Sequence, residues 1–291
     1  MAHDAKGLQK SGASNRRPGL IITADDFGLH ASVNLAVEHA YRAGVLSAAS
    51  LMVAAPAAAD AIARARTCPG LRVGLHLVLA DGQAMLPRDA IPDLVDADGR
   101  FGNQMAYDGA RFFLLPRVRR QLAAEIHAQF KAFAASGLAL DHVNAHKHFH
   151  LHPTILSLMI RIGRPFGLRA IRLPRETGMP LLLKPWVALL RRKLDAARIA
   201  HNDYMIGIKH SGKFDEAALL ETLTRLPGPG VVEIYLHPAL LSGAEISASM
   251  PAYRHADEFA ALTSPRVRLA LDHLHRRGVR SGGFSDLAGL M

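Results

Sequence analysis

The feature that most constrains this chain is an alternation, in which a short apolar run, a turn and an amphipathic helix recur from residue 20 onward. Residues 20–24, 46–53, 71–77, 138–145, 168–173, 203–206, 231–236 and 279–281 read as strands, with 203–206 the weakest. Helices are predicted over 31–43, 56–66, 181–199, 216–225 and 265–277, and Pro153 opens another at its favoured first position. The spacing of Val118, Leu122, Ile126, Phe130 and Phe133 marks one more. Strands joined by helical crossovers pair in parallel, and 291 residues suit one α/β barrel. The expected fold is therefore a single (β/α) barrel-like domain over residues 19–291, TIM-barrel-like, with seven or eight parallel strands. An open, doubly wound sheet is the alternative, because periodicity does not report closure. Residues 80–113 carry several Pro, Gly and Asp and read as a lid or excursion.

Hydrophobic content of 49% and charged content of 21% leave ample core and exclude global disorder. The single cysteine, Cys68, excludes an internal disulfide and any cysteine-rich zinc module. The formal net charge is +10. Part of it lies in residues 1–18, where Lys6, Lys10, Arg16 and Arg17 accompany no apolar stretch, so this reads as a disordered basic leader and not a secretory signal. The remaining excess points to an anionic partner. A membrane surface fits better than nucleic acid, since no recognition motif or basic–aromatic interleaving is present. No apolar run is long enough to cross a bilayer. The expected location is the cytoplasm, free or peripheral on the inner membrane face, and a homodimer is compatible with the sequence. Residues 181–194 combine leucines, the only tryptophan (Trp186) and a basic cluster, which resembles an interfacial helix. An ordinary barrel helix with a solvated basic face is the commoner account of such a pattern.

The chemistry-bearing residues are concentrated. Residues 141–153 hold five of the sixteen histidines, and if this segment is extended, His146, His148, His150 and His152 share one face. Such a run is either part of a metal site at a strand end or a tract that scavenges metal on its own. Position favours the first. Asp25-Asp26 ends the first strand, His76 the third, His146 the fourth and His237 the seventh, and C-terminal strand ends converge at the mouth of a β/α barrel. Adjacent carboxylates repel, so one can ligate a cation while the other serves as a base. Gly28 permits the sharp turn that follows, although acidic capping of a helix N-terminus accounts for the same pair without function. His76 alone would be a core histidine. Beside Asp26 and one histidine of the run it completes a three-ligand site with open positions, which metal-assisted hydrolysis requires. That donor set suits zinc, iron, manganese or cobalt better than magnesium. His237 is either a general acid or a strand-end residue with its ring on the surface.

Four stretches carry a family resemblance: Thr23-Ala24-Asp25-Asp26-Phe27-Gly28, Gly74-Leu75-His76-Leu77, the run from His142 through His146, His148 and His150 to Pro153, and Leu236-His237-Pro238. In this order they resemble the YdjC-like carbohydrate deacetylases, which include the chitooligosaccharide deacetylases, over about residues 20–287. Residues 24–53 and 144–155 look most like the hopanoid-biosynthesis-associated (HpnK-type) branch, linked to an N-acetylglucosaminyl hopanoid lipid. The resemblance implies one divalent metal ion, zinc or magnesium foremost, with manganese, iron or cobalt compatible. It also implies Asp26, His76 and His146 as ligands, Asp25 as general base and His237 as general acid. Asn144, His148 and His150 would contact substrate or support the ligands from behind. Many relatives have Asp where this chain has Asn144, which can orient a neighbour but supplies no charge. The implied reaction is removal of the acetyl group from an N-acetylglucosamine-type amino sugar, with a glycolipid as the expected carrier. Alternatives are deacetylation of soluble chitooligosaccharides, a two-metal phosphoester hydrolase, for which no bridging carboxylate is visible, and a non-catalytic, His-rich metal-binding protein.

Overall fold

The computed structural model describes residues 18–240 and 246–291. The expected leader thus lies outside the described residues, Pro18 excepted. β1 (Gly19–Phe27), β2 (Ala48–Leu51), β3 (Arg72–Leu77), β4 (Val143–Ala145), β5 (Tyr204–Ile206), β6 (Val231–Leu236) and β7 (Arg280–Ser281) form one parallel sheet. Its order is β4-β3-β2-β1-β6-β5, with β7 beside the start of β1. The helices are α1 (Ala31–Arg42), α2 (Ala58–Arg66), α3 (Met105–Leu114), α4 (Pro116–Ala135), α5 (Pro153–Gly163), α6 (Lys184–Ala197), α7 (Glu216–Thr224), α8 (His255–Thr263), α9 (Pro265–Arg276) and α10 (Phe284–Leu287). Single parallel bridges carry the pairing between the sheet's two edges: Val143 with Ile171, Ala170 with Ala200, and Glu176 with Met205. The sheet is therefore curled and barrel-like, and the open doubly wound alternative falls.

Three expectations need correction. Residues 168–173 make bridges but no ladder, because side chains take the backbone groups that a strand would use. His150 Nε2 lies 3.0 Å from the Arg172 carbonyl, and the Asn202 amide brackets both the N–H and the C=O of Leu173 at 2.7 and 2.9 Å. The expected strand at 138–145 is confined to Val143–Ala145. Beyond it the chain does not stay extended: residues His146–Leu151 coil into a 3₁₀ turn, with Lys147 and His148 both at φ 53°. The four histidines consequently do not share a strand face. Helices α3, α8 and α10 were not anticipated, and the 80–113 stretch contains all but the last residue of α3 and two antiparallel bridges, Gln83 with Arg100 and Val95 with Phe101.

Alternation along the strands separates two environments. Leu20, Ile22 and Ala24 of β1, Val73, Leu75 and Leu77 of β3, and Val232, Ile234 and Leu236 of β6 join the large apolar core that includes α1, α4 and α9. The intervening residues face the barrel interior. At one end Ile21, Ala48, Ala170 and Val231 close on Phe284 and Leu287 of α10 as a separate apolar plug. Above the plug the interior turns polar, through Thr23, Ser50, His142, Arg172 and Glu233, all fully buried. Gly74 makes room for this layer: a Cβ there would stand 2.5 Å from the His142 ring, which stacks on Phe284 at 4.8 Å. Gly74→Ala should therefore lower stability in urea denaturation by about 1–3 kcal/mol, as overpacking does. An unchanged midpoint would show that the His142 ring is free to move aside.

Candidate active site

β1 enters the site through an irregularity. Neighbouring strand residues point to opposite faces, so a regular strand could not bring both Asp25 and Asp26 into the barrel mouth. The register with β2 shifts between Ala24 and Phe27, and Asp26 is left-handed at φ 62°. An inserted residue of this kind re-aims a side chain, and both carboxylates end up buried at the strand's C-terminal end. Gly28, at φ 98°, then turns the chain into α1. Its N–H donates to Asn34 Oδ1 at 2.8 Å, and a Cβ would lie 3.0 Å from the Met52 carbonyl.

Asp26, His76 and His146 are brought together by three strand ends. His76 Nε2 and His146 Nδ1 lie 3.3 and 3.1 Å from Asp26 Oδ1, and 3.4 Å from each other. Donors held at ~2.0–2.1 Å from one ion sit roughly 3.0–3.4 Å apart in tetrahedral or octahedral arrangements, so these separations fit a shared cation. Both Asp26 oxygens are buried, and neither accepts a well-directed hydrogen bond, a costly state for a carboxylate without a cation. The set fits a divalent metal. Asn144 Oδ1 lies 2.7 Å from His76 Nδ1. An amide oxygen only accepts, so Nδ1 carries the proton and the Nε2 lone pair faces Asp26. The Asn144 amide nitrogen donates to Asp25 Oδ1 at 3.2 Å and to Ser50 Oγ at 3.0 Å. One side chain thus orients a ligand candidate and the neighbouring carboxylate.

Asp25 does not join the triad. Arg172 grips it with two bonds, Nη1 to Oδ2 at 2.5 Å and Nη2 to Oδ1 at 3.0 Å. The same guanidinium reaches Glu233 through Nε at 2.9 Å and Nη2 at 2.8 Å, and Thr23 Oγ1 donates to Glu233 at 2.8 Å. Burial alone would raise the Asp25 carboxyl, but the adjacent guanidinium outweighs it and holds the group well below the usual carboxylate range.

A cavity of about 180 Å³ opens over these groups, with Asp25, His76, His146, His148, Tyr235 and His237 among its walls. A second, of about 260 Å³, shares His146 and Met250 with it and is lined by Leu29, Met52, Val78 and Arg100 among others. His237 sits in the wall of the first cavity, its ring centroid 5.5 and 5.1 Å from those of Tyr235 and Tyr253. Burial lowers its imidazole below the ordinary value against the pull of Asp26 and Asp25. Behind it, Glu258 accepts the N–H groups of His237 and Phe214, 4.0 Å from His237 Nδ1. Burial pushes the Glu258 carboxyl up to about 7. His148 Nε2 is 3.0 Å from the Tyr235 hydroxyl, while its buried Nδ1 has no partner among the described residues. His150 is placed behind the site: Nδ1 accepts the Ala145 N–H at 3.1 Å and Nε2 donates to the Arg172 carbonyl. Its ring is neutral, with burial and then the Arg172 charge lowering it to about 3. His152 precedes α5 and packs on Phe112 of α3, away from the site.

Sequence reasoning overlooked Arg172, Glu233, Ser50, Tyr235 and Glu258. A signal existed for the first two. Each is a charged residue flanked by apolar neighbours in a predicted strand, Ile171-Arg172-Leu173 and Val232-Glu233-Ile234, and a charge placed inside a barrel needs an opposite one. For Glu258, on an unanticipated helix, no such signal existed.

Elemental analysis after dialysis against metal should find one ion per chain in the wild type and none in Asp26→Ala, His76→Ala or His146→Ala. Asn144→Ala should weaken retention by about 10–100-fold, and His152→Ala should leave it unchanged. Wild-type retention in Asp26→Ala would mean that the histidine run binds metal alone, and two ions per chain would favour phosphoester chemistry.

Residues 19–273 match the profile of the YdjC-like proteins. A carbohydrate deacetylase of Brevibacillus brevis is 30% identical over 274 residues, covering 92% of this chain and 99% of that protein. The chitooligosaccharide deacetylase of Serratia marcescens is 31% identical over 273 residues, covering 92% and 98%. The solved structure of an Enterococcus faecalis protein named for cellobiose-phosphate cleavage gives a TM-score of 0.74 at 24% identity, over 94% of this chain and 99% of that one. That last likeness is one of fold, and it agrees with the barrel-like sheet seen here. Because the family profile runs from β1 into α9 with the converging strand ends inside it, this chain belongs to the YdjC-like protein family.

Proposed function

We propose that the protein is a metal-dependent N-deacetylase of amino sugars, with Asp26, His76 and His146 holding the ion. The observation that carries this reading is the pairing of a three-donor set with a separate, guanidinium-held carboxylate at one barrel mouth. The relatives named as carbohydrate and chitooligosaccharide deacetylases support the substrate class. When bound, a divalent ion supplies Lewis acidity at the amide carbonyl and acidifies water beside it. Asp25 accepts the proton of the attacking water. Arg172 keeps it ionised and, with Asn144, fixes its oxygens. A base held so low is weak, and it would need the acidity that a bound ion lends to the water. His237 delivers a proton to the departing amine nitrogen, which would otherwise leave poorly, and Glu258 positions the ring through the His237 N–H. Tyr235 and His148 form a wall against the substrate.

The finer substrate in this reading is an N-acetylglucosaminyl lipid of the hopanoid type, supported by the resemblance at residues 24–53 and 144–155. The protein would then work peripherally at the inner face of the membrane, through the 181–199 segment. No helix among the described residues is long and apolar enough to cross a bilayer. The region over 80–113, which contributes Asp81, Gln83 and Arg100 to the second cavity, would cover the bound sugar.

Asp25→Asn should lower kcat/KM by about 10²–10⁴-fold, the range of general-base contributions, while retained metal stays at the wild-type level. Activity within a few-fold of wild type would reject the base assignment. Release of free amine should be faster from N-acetylglucosaminyl lipid than from soluble chitooligosaccharide, and the reverse order would return the substrate to soluble sugars. The raised Glu258 carboxyl gives a separate expectation. The folded chain binds this proton more tightly than the unfolded one, whose value is near 4.5. The associated stability is therefore complete below about pH 4.5 and lost as pH rises to about 7. Glu258→Gln should flatten the fall in Tm across that window, and an unaltered profile would show that Glu258 stays ionised.

A further inference from the structure

We infer that the exposed apolar faces of α3 and α6 form one docking surface for an anionic bilayer, set beside the mouth of the site. This deepens the glycolipid reading and rests on it for its purpose, though not for its test.

The apolar residues of α6 exceed what packing uses. Val187, Leu190 and Leu194 face inward and are buried. Trp186 and Leu189 lie on the outward side, 37% and 54% exposed, and continue a spacing begun by Leu182 of the preceding 3₁₀ turn, which is 92% exposed. Leu181 and Leu183, in the 3₁₀ turn just before the helix, are exposed as well. Helix α3 repeats the pattern: Phe112 is buried, whereas Phe113 and Leu114 are 58% and 68% exposed and Tyr107 is 61% exposed. Of the thirteen exposed large hydrophobic residues of the described chain, nine lie in 107–115 or 181–189. Scattered exposed leucines need no explanation, but concentration of this kind marks an interaction surface.

The two faces belong together because both helices pack on one turn. Phe112 contacts the rings of Phe149 and His152 at 5.5 and 6.3 Å, and the Trp186 indole N–H donates to the Leu151 carbonyl at 3.0 Å. That turn begins at His146, so the apolar residues flank the strand ends onto which the cavity opens.

Charge identifies the occupant. Arg119, Lys184, Arg192 and Lys193 are exposed on or beside these helices, and among the described residues none has a carboxylate partner; Arg119 donates to the Phe112 and Phe113 carbonyls and Lys193 to the Ser157 hydroxyl. The nearby acids are taken: Asp93 by Arg117, Asp108 by Arg111, and Asp195 by Arg191 and His201. Behind α6 a cavity of about 420 Å³ carries Arg175, Lys184 and Arg191 on its walls. Its one acid, Glu176, accepts the Gly207 N–H at 3.1 Å. Leucines and a tryptophan rimmed by cations without carboxylate partners match the acyl and headgroup layers of an anionic leaflet. A second copy of the chain fits less well, because a two-fold interface through this face would set basic cluster against basic cluster.

The test is sedimentation of the full chain with phosphatidylcholine vesicles, with or without phosphatidylglycerol. Wild type should pellet with the anionic vesicles and be released by high salt. The substitution pairs Leu182→Glu with Leu189→Glu, and Leu114→Glu with Leu115→Glu, lie at exposed positions outside the 80–113 region, and unchanged Tm values will show that both variants fold. Each pair should lower the bound fraction about ten-fold while leaving deacetylation of soluble chitooligosaccharide unaltered. Wild type remaining in the supernatant, or binding that neither pair changes, would overturn the proposal. An effect of the α6 pair alone would break the claim of one surface. A dimer in sedimentation equilibrium that dissociates in the same variants would assign the face to a second copy. Vesicle binding needs no turnover, so an inactive wild type that still binds counts against the deacetylase reading alone.

Discussion

The site depends on a guanidinium held in the middle of the barrel. Arg172 is fully buried and bridges two carboxylates, Asp25 and Glu233. Removing ions from water costs several kcal/mol each, and their attraction offsets this only when geometry is good and every remaining donor is used. Here four bonds run from Arg172 to the two acids, its face lies 5.0 Å from the Tyr235 ring centroid, and Thr23 completes Glu233. The ledger of charge still does not close. Asp25, Asp26 and Glu233 bring three formal negative charges against the one positive charge of Arg172, an excess of two in a water-poor interior. A divalent cation would balance it, and the uncompensated oxygens are those of Asp26, where the two imidazole nitrogens converge.

This arrangement follows from how the strands divide their side chains. The large apolar core lies between sheet and helices, which lets the barrel interior hold polar groups without loss of the fold's main stabilisation. The interior is graded: α10 seals one end with Phe284 and Leu287, and polarity increases toward the mouth. One chain of buried polar residues runs from Asp141 through His142 and Ser50 to Asn144 and Asp25, in bonds of 2.9, 3.0, 3.0 and 3.2 Å. Such a chain fixes orientation at the mouth from well below it.

What could be read from the sequence was what period-2 alternation and strand ends determine. The β/α order, the single barrel-like domain and the convergence of Asp25, Asp26, His76, His146 and His237 all depend on local patterns that place residues at strand termini. What escaped depends on contacts between distant segments. The loss of a ladder at 168–173 comes from His150 and Asn202, 22 and 29 residues away from the groups they bind. The histidine run was legible as a cluster, but its division was not. His146 turns to the triad, His148 to Tyr235, and His150 to the backbone of Arg172, because a left-handed turn at Lys147 and His148 breaks the face that an extended strand would have given them.

That turn is part of a wider pattern. Outside glycine, positive φ angles occur among the described residues at Asp26, Asp81, Lys147, His148 and Arg198. Arg198 caps α6, where a left-handed residue is ordinary. The other four surround the site. Asp26 belongs to the candidate ligand triad, His148 walls the cavity, and Asp81 and Lys147 form an ion pair at 2.6 Å that ties the 80–113 region to the histidine turn. Conformations of this sort cost of order 1–3 kcal/mol each and persist only where the surroundings over-determine them. Here the barrel does so, through ladders beneath the mouth and buried hydrogen bonds behind it. The donors are therefore held at ligand spacing by the protein itself, so cation binding would need little rearrangement of the site.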